Sequence, residues 1–364
     1  MQNKITFGKW ETVCLLINII NMQIFVSFPR LIVETGGTAA WIVSIYIFIL
    51  SIISFWLISK LFQRFPGKDI IDIVQEIGGK AVRILIGLSF SLTGIFFEAI
   101  TLREFSENIK TITLISSPLS FVMIFLILGA IIPVFFGLEP IVRIHSLGAP
   151  IIAVAYLIIL LLLFPFMHFE NVLPIMGNGF PKVFGEGFLR LSFYFGLTII
   201  FYLPPFIKTF SNFKSAGYIS LCLTGFFMTV AALVFTTVMP YPTALESTIP
   251  IYDLSRLIYY GRFFQKIEPI FVTIWAFAAY LYFCGGLYFL IHVFKKALNL
   301  PYLKPLIIPF SILMYTIAFI PDSFMSAVEI EQSFARTYGF LPLLCPPLIL
   351  LIIAKIMKKG SVKS

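Results

Sequence analysis

Apolar residues dominate this chain in runs of 20 or so, separated by short polar stretches. Ten runs stand out, at roughly 10–32, 39–62, 81–113, 119–137, 145–167, 186–207, 216–239, 268–294, 303–320 and 337–357. A helix needs about 20 predominantly apolar residues to cross a bilayer. The runs are too long for barrel strands and none sustains a period of two. The pattern therefore predicts an all-α membrane protein with about ten transmembrane helices, each satisfying its own backbone groups in lipid. The third run is longer than a bilayer requires, so it is expected to tilt or to project into water.

Two runs carry an interruption. The first contains NMQIFVSFPR at 21–30, with Asn21, Gln23, Ser27, Pro29 and Arg30 where a plain anchor would hold Leu and Val. The sixth contains FGLTIIFYLPP at 195–205. Ten helices divide as five plus five, and these are the corresponding positions of the two halves. Paired interruptions of this kind point to a 5+5 inverted-repeat transporter-like fold with broken helices 1 and 6, whose half-helix ends face a midplane site. On this reading residues 1–364 form a single integral membrane domain, with a first repeat at about 10–167 and a second at about 186–357. The alternative is that Pro29 simply ends the first helix and that Asn21 and Ser27 bond to neighbouring helices.

Most connections are short, but 166–185 and 240–267 are long. The second contains IYDLSRLIYY, apolar at helical spacing with Asp253 and Arg256 in it and Arg262 just beyond, and it predicts a short amphipathic helix.

Within the spans the polar residues fall in stripes. Glu11, Cys14, Asn18 and Asn21 share one face of the first helix. Glu98, Thr101, Glu104 or Phe105, and Asn108 form a second stripe on the third. Arg103 and Glu107 are four apart and can pair. Glu98 has no basic residue within four positions on its helix, so it must find a partner elsewhere, take up a proton or reach water. On the eighth run, AAYLYFCGGLY offers the small residues Ala278, Ala279, Gly285 and Gly286 for close helix approach. Tyr280 and Tyr282 alternate, so they cannot share a face, and at least one is expected to reach a cavity.

Composition agrees with a lipid environment. The 364 residues are 59% hydrophobic and 12% charged, with mean hydropathy +1.00; a soluble domain carries about 25% charged residues. The net charge of +9 follows topology and not polyanion binding. With both termini cytoplasmic, seventeen of the 26 Lys and Arg fall on the cytoplasmic side, Lys4, Lys68, Lys296 and Lys363 among them. Acidic residues including Glu34, Glu170, Asp253, Glu329 and Glu331 lean outward. No nucleic-acid partner is implied. The four cysteines lie in apolar runs without CxxC spacing, and the three histidines are scattered, so no metal or cofactor is expected. No cleavable signal, lipidation box, phosphate-binding loop or GxSxG turn is visible, and the chain is not expected to be an enzyme.

Several stretches carry a family likeness: FPR at 28–30 before ETGGTAAW, the charged cluster at 103–110, NVLPIMGNGFPKV at 171–183, GLTIIFYLPP at 196–205 and RLIYYGRFFQKIEPIFVTIW at 256–275. In this order and spacing they resemble the B subunit of bacterial spore nutrient germinant receptors, a branch of the amino acid–polyamine–organocation transporter superfamily. The resemblance runs nearly end to end. It implies an integral protein of the spore inner membrane that binds a small nutrient, such as an amino acid or a sugar. It also implies an A subunit and a lipoprotein C subunit as partners, with germination as the response. In the family the first helix often has glycines where this chain has Met22 and Ile24, and the sixth has Glu where this chain has Thr198. A helix-three carboxylate is matched by Thr101, with Glu98 one turn earlier. The implied pocket is thus less charged and more filled, and suits a less polar nutrient. Its lining is placed at Asn21, Met22, Glu98, Thr101, Gly196, Thr198, Tyr280, Tyr282 and Cys284. Two further readings stay open: a proton-coupled permease using Glu98, and a scaffold subunit with a vestigial pocket.

Overall fold

The structure, a computed structural model, describes residues 6–261, 264, 265 and 267–360. Lys4, Lys363 and Arg262, all named above, lie outside the described residues.

The first run forms two helices, α1 (Lys9–Asn21) and α2 (Phe28–Gly36), joined by a 3₁₀ turn at Met22–Phe25. Val26 sits at φ −113° and ψ −96°, outside helical geometry. Pro29 lies in the first turn of α2, where its missing N–H costs nothing and its fixed φ suits the helix. Proline therefore starts the second half of a broken span and does not end the first. A turn at Gly37, with φ 58°, leads into α3 (Ala40–Arg64). Next comes α4 (Ile70–Ile112), whose 43 residues are interrupted at Gly79, with φ 79°. A straight helix of that length would run about 65 Å, twice the hydrocarbon thickness; the break turns residues 70–78 into a separate arm. Asp69 and Asp72 close its N-terminus as a reciprocal capping box.

Two apolar helices follow, α5 (Leu119–Phe136) and α6 (Leu138–Leu162). Phe121, Phe125, Leu128, Ile132 and Phe136 stand exposed along one side of α5 at helical spacing, as they should where lipid is the solvent. The sixth span is irregular throughout. A π-helical turn at Pro181–Glu186 passes through α7 (Gly187–Leu189) into a 3₁₀ segment of 13 residues, Arg190–Tyr202. Such runs rarely exceed three or four residues, and this one is the second interruption that the sequence pattern called for.

The chain continues through α8 (Phe210–Val238) and the short α9 (Pro250–Leu257). The amphipathic helix expected from IYDLSRLIYY stops at Leu257, since Tyr259–Tyr260 (β1) pairs antiparallel with Phe264–Gln265 (β2). Then come α10 (Glu268–Leu298) and α11 (Lys304–Ala318). The last span comprises α12 (Phe324–Ile330), a π-helical turn at Glu331–Ala335, α13 (Arg336–Tyr338) and α14 (Leu341–Ile356). Among the described residues, eight helical stretches are long and apolar enough to cross a membrane, and this is an integral membrane protein. The eight include α2 joined to α3 as Phe28–Arg64; α1, the first half of the broken first span, and the 15-residue α11 complete the ten expected segments. One expectation is corrected. The last span begins at Phe324, not near 337, so Glu331 lies within it and is 3% exposed.

Small residues set the packing. The face of α10 against α4 places Ala297 at Gly87, Leu290 at Gly94 and Glu98 at Gly286, the close approach that lipid-embedded helices use in place of a hydrophobic driving force. At one end Lys296 of α10 bonds Asp69 at 2.5 Å and Asp72 at 2.6 Å, tying it to the start of α4. At the other, the 173–180 loop is fastened to the α2–α3 turn. Asn178 donates to the carbonyls of Glu34 (3.0 Å) and Thr35 (3.3 Å), and Thr38 donates to that of Pro174 (2.5 Å).

Candidate functional site

The breaks in the first and sixth spans meet at a buried cavity of about 60 Å³, walled also by α4, α10 and Arg336. Ile19 and Gln23 enter from the first span, Gly196 and Thr198 from the 3₁₀ segment, Glu98 and Thr101 from α4, and Tyr282 and Gly286 from α10. Gly196 lets the two broken spans touch. A Cβ there would lie 3.1 Å from Ile19 Cγ2 and 3.3 Å from the Ile19 carbonyl carbon and oxygen. Glu98 is 6% exposed, and its Oε2 has no hydrogen-bond partner among the described residues. Its Oε1 occupies the space that any side chain at position 286 would need. The remaining walls are mostly apolar, with Phe90, Phe97, Phe195 and Phe289 among them, and Ser192 and Tyr202 are their polar members. The arrangement is a small apolar chamber with one incompletely bonded carboxylate.

Of the nine positions expected to line a pocket, Glu98, Thr101, Gly196, Thr198 and Tyr282 share this cavity. The other four do not join them. Asn21 borders a separate cavity of about 20 Å³ beside Asn18, Tyr156 and Ala278, and its Oδ1 is unbonded. Met22 is packed in the core and walls neither space. The Tyr280 ring covers Gly129 of α5, while Cys284 donates to the Leu281 carbonyl at 3.2 Å. Tyr280 and Tyr282 thus point to different neighbours, as their alternation requires.

A second polar group lies beside the cavity, built on the break itself. Arg336 donates through Nε to Glu331 Oε1 at 2.8 Å and through Nη2 to Glu331 and to Gln23 Oε1. Ser27 donates to Glu331 Oε1 at 2.7 Å. The guanidinium also sits 4.3 Å from the centroid of the Phe193 ring. A buried ion pair is tolerable only when its remaining hydrogen-bonding capacity is met; Gln23 and Ser27 serve Arg336 Nη2 and Glu331 Oε1, while Glu331 Oε2 is unbonded among the described residues. These polar residues interrupt the first span because they hold a charge pair from the last. Glu104, also buried, presents an unbonded Oε1 to an adjoining pocket of about 20 Å³ shared with Ser27, Arg30 and Asn108.

Residues 9–325 match the family described as spore germination protein. The chain belongs to that family. Among its relatives, spore germination protein YndE of Bacillus subtilis (strain 168) is 25% identical over 96% of this chain and 97% of its own length. Spore germination protein B2 of the same organism is 22% identical, covering 75% of this chain and 74% of that protein. Among solved structures, MhsT in complex with L-phenylalanine superposes with a TM-score of 0.64 at 12% identity, over 97% of this chain and 99% of that one. A Na+-coupled sialic acid symporter in a substrate-bound outward-open state gives 0.65 at 12% identity, over 93% and 77%. The spore germination protein family thus uses, in this member, the inverted-repeat fold of solute transporters.

The Glu331–Arg336 pair was not visible in the sequence of this family member. Its residues are five apart, a spacing that faces one way only under π-helical winding, and such a turn runs from Glu331 to Ala335. The three- and four-residue spacings of an α-helix do not pair them. The available signal was Gln23 in NMQIFVSFPR, a polar side chain in a span with no partner on its own helix.

Proposed function

We propose that this chain is the nutrient-sensing membrane subunit of a spore germinant receptor, and that it takes a small nutrient in the cavity between the two broken spans. The observation that carries the reading is Glu98. It is a buried carboxylate that lines the chamber where both interrupted spans meet, and one of its oxygens has no hydrogen bond among the described residues. An unpaired polar atom at this depth is costly unless something bonds it part of the time. A ligand with one N–H or O–H donor and a compact apolar body satisfies both Glu98 and the phenylalanine walls. The fold is one in which MhsT has been solved holding L-phenylalanine, which supports a solute site of this class.

The receptor reading places the chain in the spore inner membrane with both termini cytoplasmic, beside an A subunit and a lipoprotein C subunit. Occupancy of the cavity would alter how the first and sixth spans pack at Ile19 and Gly196, and the partner subunits would relay that change. The transporter fold also favours a second reading, a permease that moves the nutrient across the membrane.

The test is thermal melting of the purified full chain with single nutrients and mixtures. A ligand of the folded state alone stabilises it by about 2.7 kcal/mol at a hundredfold excess over its dissociation constant. The expected result is a shift with one nutrient class that is lost in Thr198→Leu and weakened in Glu98→Gln. A shift that both substitutions leave intact would remove the cavity from consideration. Accumulation of that nutrient in vesicles holding this chain alone would favour the permease.

A further inference from the structure

A groove of about 490 Å³ runs along the outside of the bundle between α4 and α14, and nothing in the nutrient-binding reading uses it. Its walls are apolar: Val82, Ile86 and Phe90 on α4, and Cys345, Ile349 and Ile353 on α14, with Ser89 and Thr93 its polar members. Leu85 and Ile352, beside it on the same two helices, are 68% and 55% exposed, so the groove opens to the membrane and not to the core.

Its dimensions choose among occupants. It follows α14 from Leu341 to Ile353, a rise of about 18 Å, close to half of a hydrocarbon core of about 30 Å. It therefore reaches through about one leaflet. A groove that ends after about one leaflet suits one hydrocarbon chain lying along the helices, whereas a spanning helix would need the full thickness.

Charge marks the end where a headgroup would sit. The groove leaves the bundle beside Ile77 and Ile353, where Lys359 donates to the Glu76 carbonyl at 2.7 Å. The acidic residues there are already engaged: Glu76 with Lys68, and Asp69 and Asp72 with Lys296. Lys80, Lys355 and Lys358 are exposed and form no ion pair among the described residues. This surplus of positive charge attracts an anionic headgroup.

We propose that the groove is a lipid site that holds one acyl chain of an anionic phospholipid from the leaflet at the Lys359 end. Phe90 walls both the groove and the central cavity. The tip of the chain therefore packs against the residue that bounds the nutrient space, and lipid occupancy bears on the shape of that space.

The experiment uses the full chain in nanodiscs of equal phosphatidylcholine and phosphatidylglycerol, released into detergent and weighed by native mass spectrometry. One retained phospholipid per chain is expected, with phosphatidylglycerol enriched several-fold. Cys345→Trp, which fills the groove, should lose it; Ile349→Phe is the milder filling variant should Cys345→Trp melt early. The triple substitution of Lys80, Lys355 and Lys358 to Gln should retain a lipid without the preference for phosphatidylglycerol. Equal retention by the wild-type and groove-filled chains would overturn the site. So would a wild-type chain that retains no lipid and crosslinks to a second copy through Cys345, since the groove would then be a protein contact.

Discussion

Glu98 of α4 and Gly286 of α10 occupy one volume between them: a Cβ on Gly286 would collide with Glu98 Oε1. The glycine exists for the carboxylate as much as for helix packing. Gly286→Ala should push the Glu98 side chain into the cavity and destabilise the chain by about 1–3 kcal/mol, the usual cost of overpacking. Because the obstacle is the far end of a flexible side chain, the variant should still fold. The check is a double-mutant cycle by melting. Gly286→Ala combined with Glu98→Ala should lose less stability than the two separate losses together, since the collision disappears with the carboxylate. Additive losses would mean that the two residues do not share the space.

The Arg336 network makes a sharper prediction. Arg336→Gln leaves Glu331 buried without its cation, and breaking one partner of a buried pair costs about 3–5 kcal/mol. Glu331→Gln in the same chain should recover a substantial part, because two neutral amides can still bond Gln23 and Ser27. Arg336→Lys should not rescue: one ammonium cannot reproduce the planar fork that bonds Glu331 and Gln23 while stacking on Phe193. Melting temperatures of the three variants at matched detergent and lipid decide this. Equal stability of the single and double variants would show that the pair is not coupled.

These two relationships differ in how far the sequence disclosed them. The apolar runs foretold the spans, because length and hydropathy alone decide what crosses a bilayer. NMQIFVSFPR foretold the first break, because polar residues in a span need a reason. Glu98 and Thr101 were legible as a stripe at helical spacing, and they do share a cavity. Arg336 was not, because its partnership depends on a π-helical turn and on Gln23, more than 300 residues away. Nor could spacing tell that Cys284 and Tyr280 turn toward Leu281 and Gly129 instead of the cavity. Neighbours on other helices settle which face of α10 meets open space, and one sequence does not contain that arrangement.

The contact between Ile19 and Gly196 predicts a graded response to side-chain size. With 3.1 Å to Ile19 Cγ2 and 3.3 Å to its backbone carbonyl, a methyl group at 196 is tight: rotating Ile19 relieves the first contact, and the second needs a small shift of one span against the other. Gly196→Ala should cost about 1 kcal/mol and Gly196→Val clearly more, since its extra methyls meet backbone that cannot yield so far. Ile19→Ala should relieve Gly196→Ala in part, by removing the Cγ2 contact, and do less for Gly196→Val. If instead both substitutions are silent in melting and in nutrient titration, the two broken spans are not held together at this point.

At the Lys296 end, pH should reveal the burial of Asp69. This residue immediately precedes α4, is 0% exposed and accepts from the Asp72 N–H at 2.9 Å. Burial pushes its carboxyl up from an ordinary 3.8 to about 6, with the nearby Asp72 adding to the rise and Lys296 pulling against it. A carboxyl whose pKa is higher in the folded chain than in the unfolded one binds its proton more readily when folded. Its favourable contribution is complete below about pH 4 and is lost as pH rises through about 6. Asp69→Asn has no proton to lose, and asparagine serves well as a helix cap. The melting temperature of the variant relative to wild type should therefore climb between pH 4 and 7, by the equivalent of a few kcal/mol at most. Other carboxylates titrate in both chains and cancel in the difference. A difference that falls across this window would mean that the bond to Lys296 outweighs desolvation, so that Asp69 is ionised throughout and the latch gains strength as pH rises.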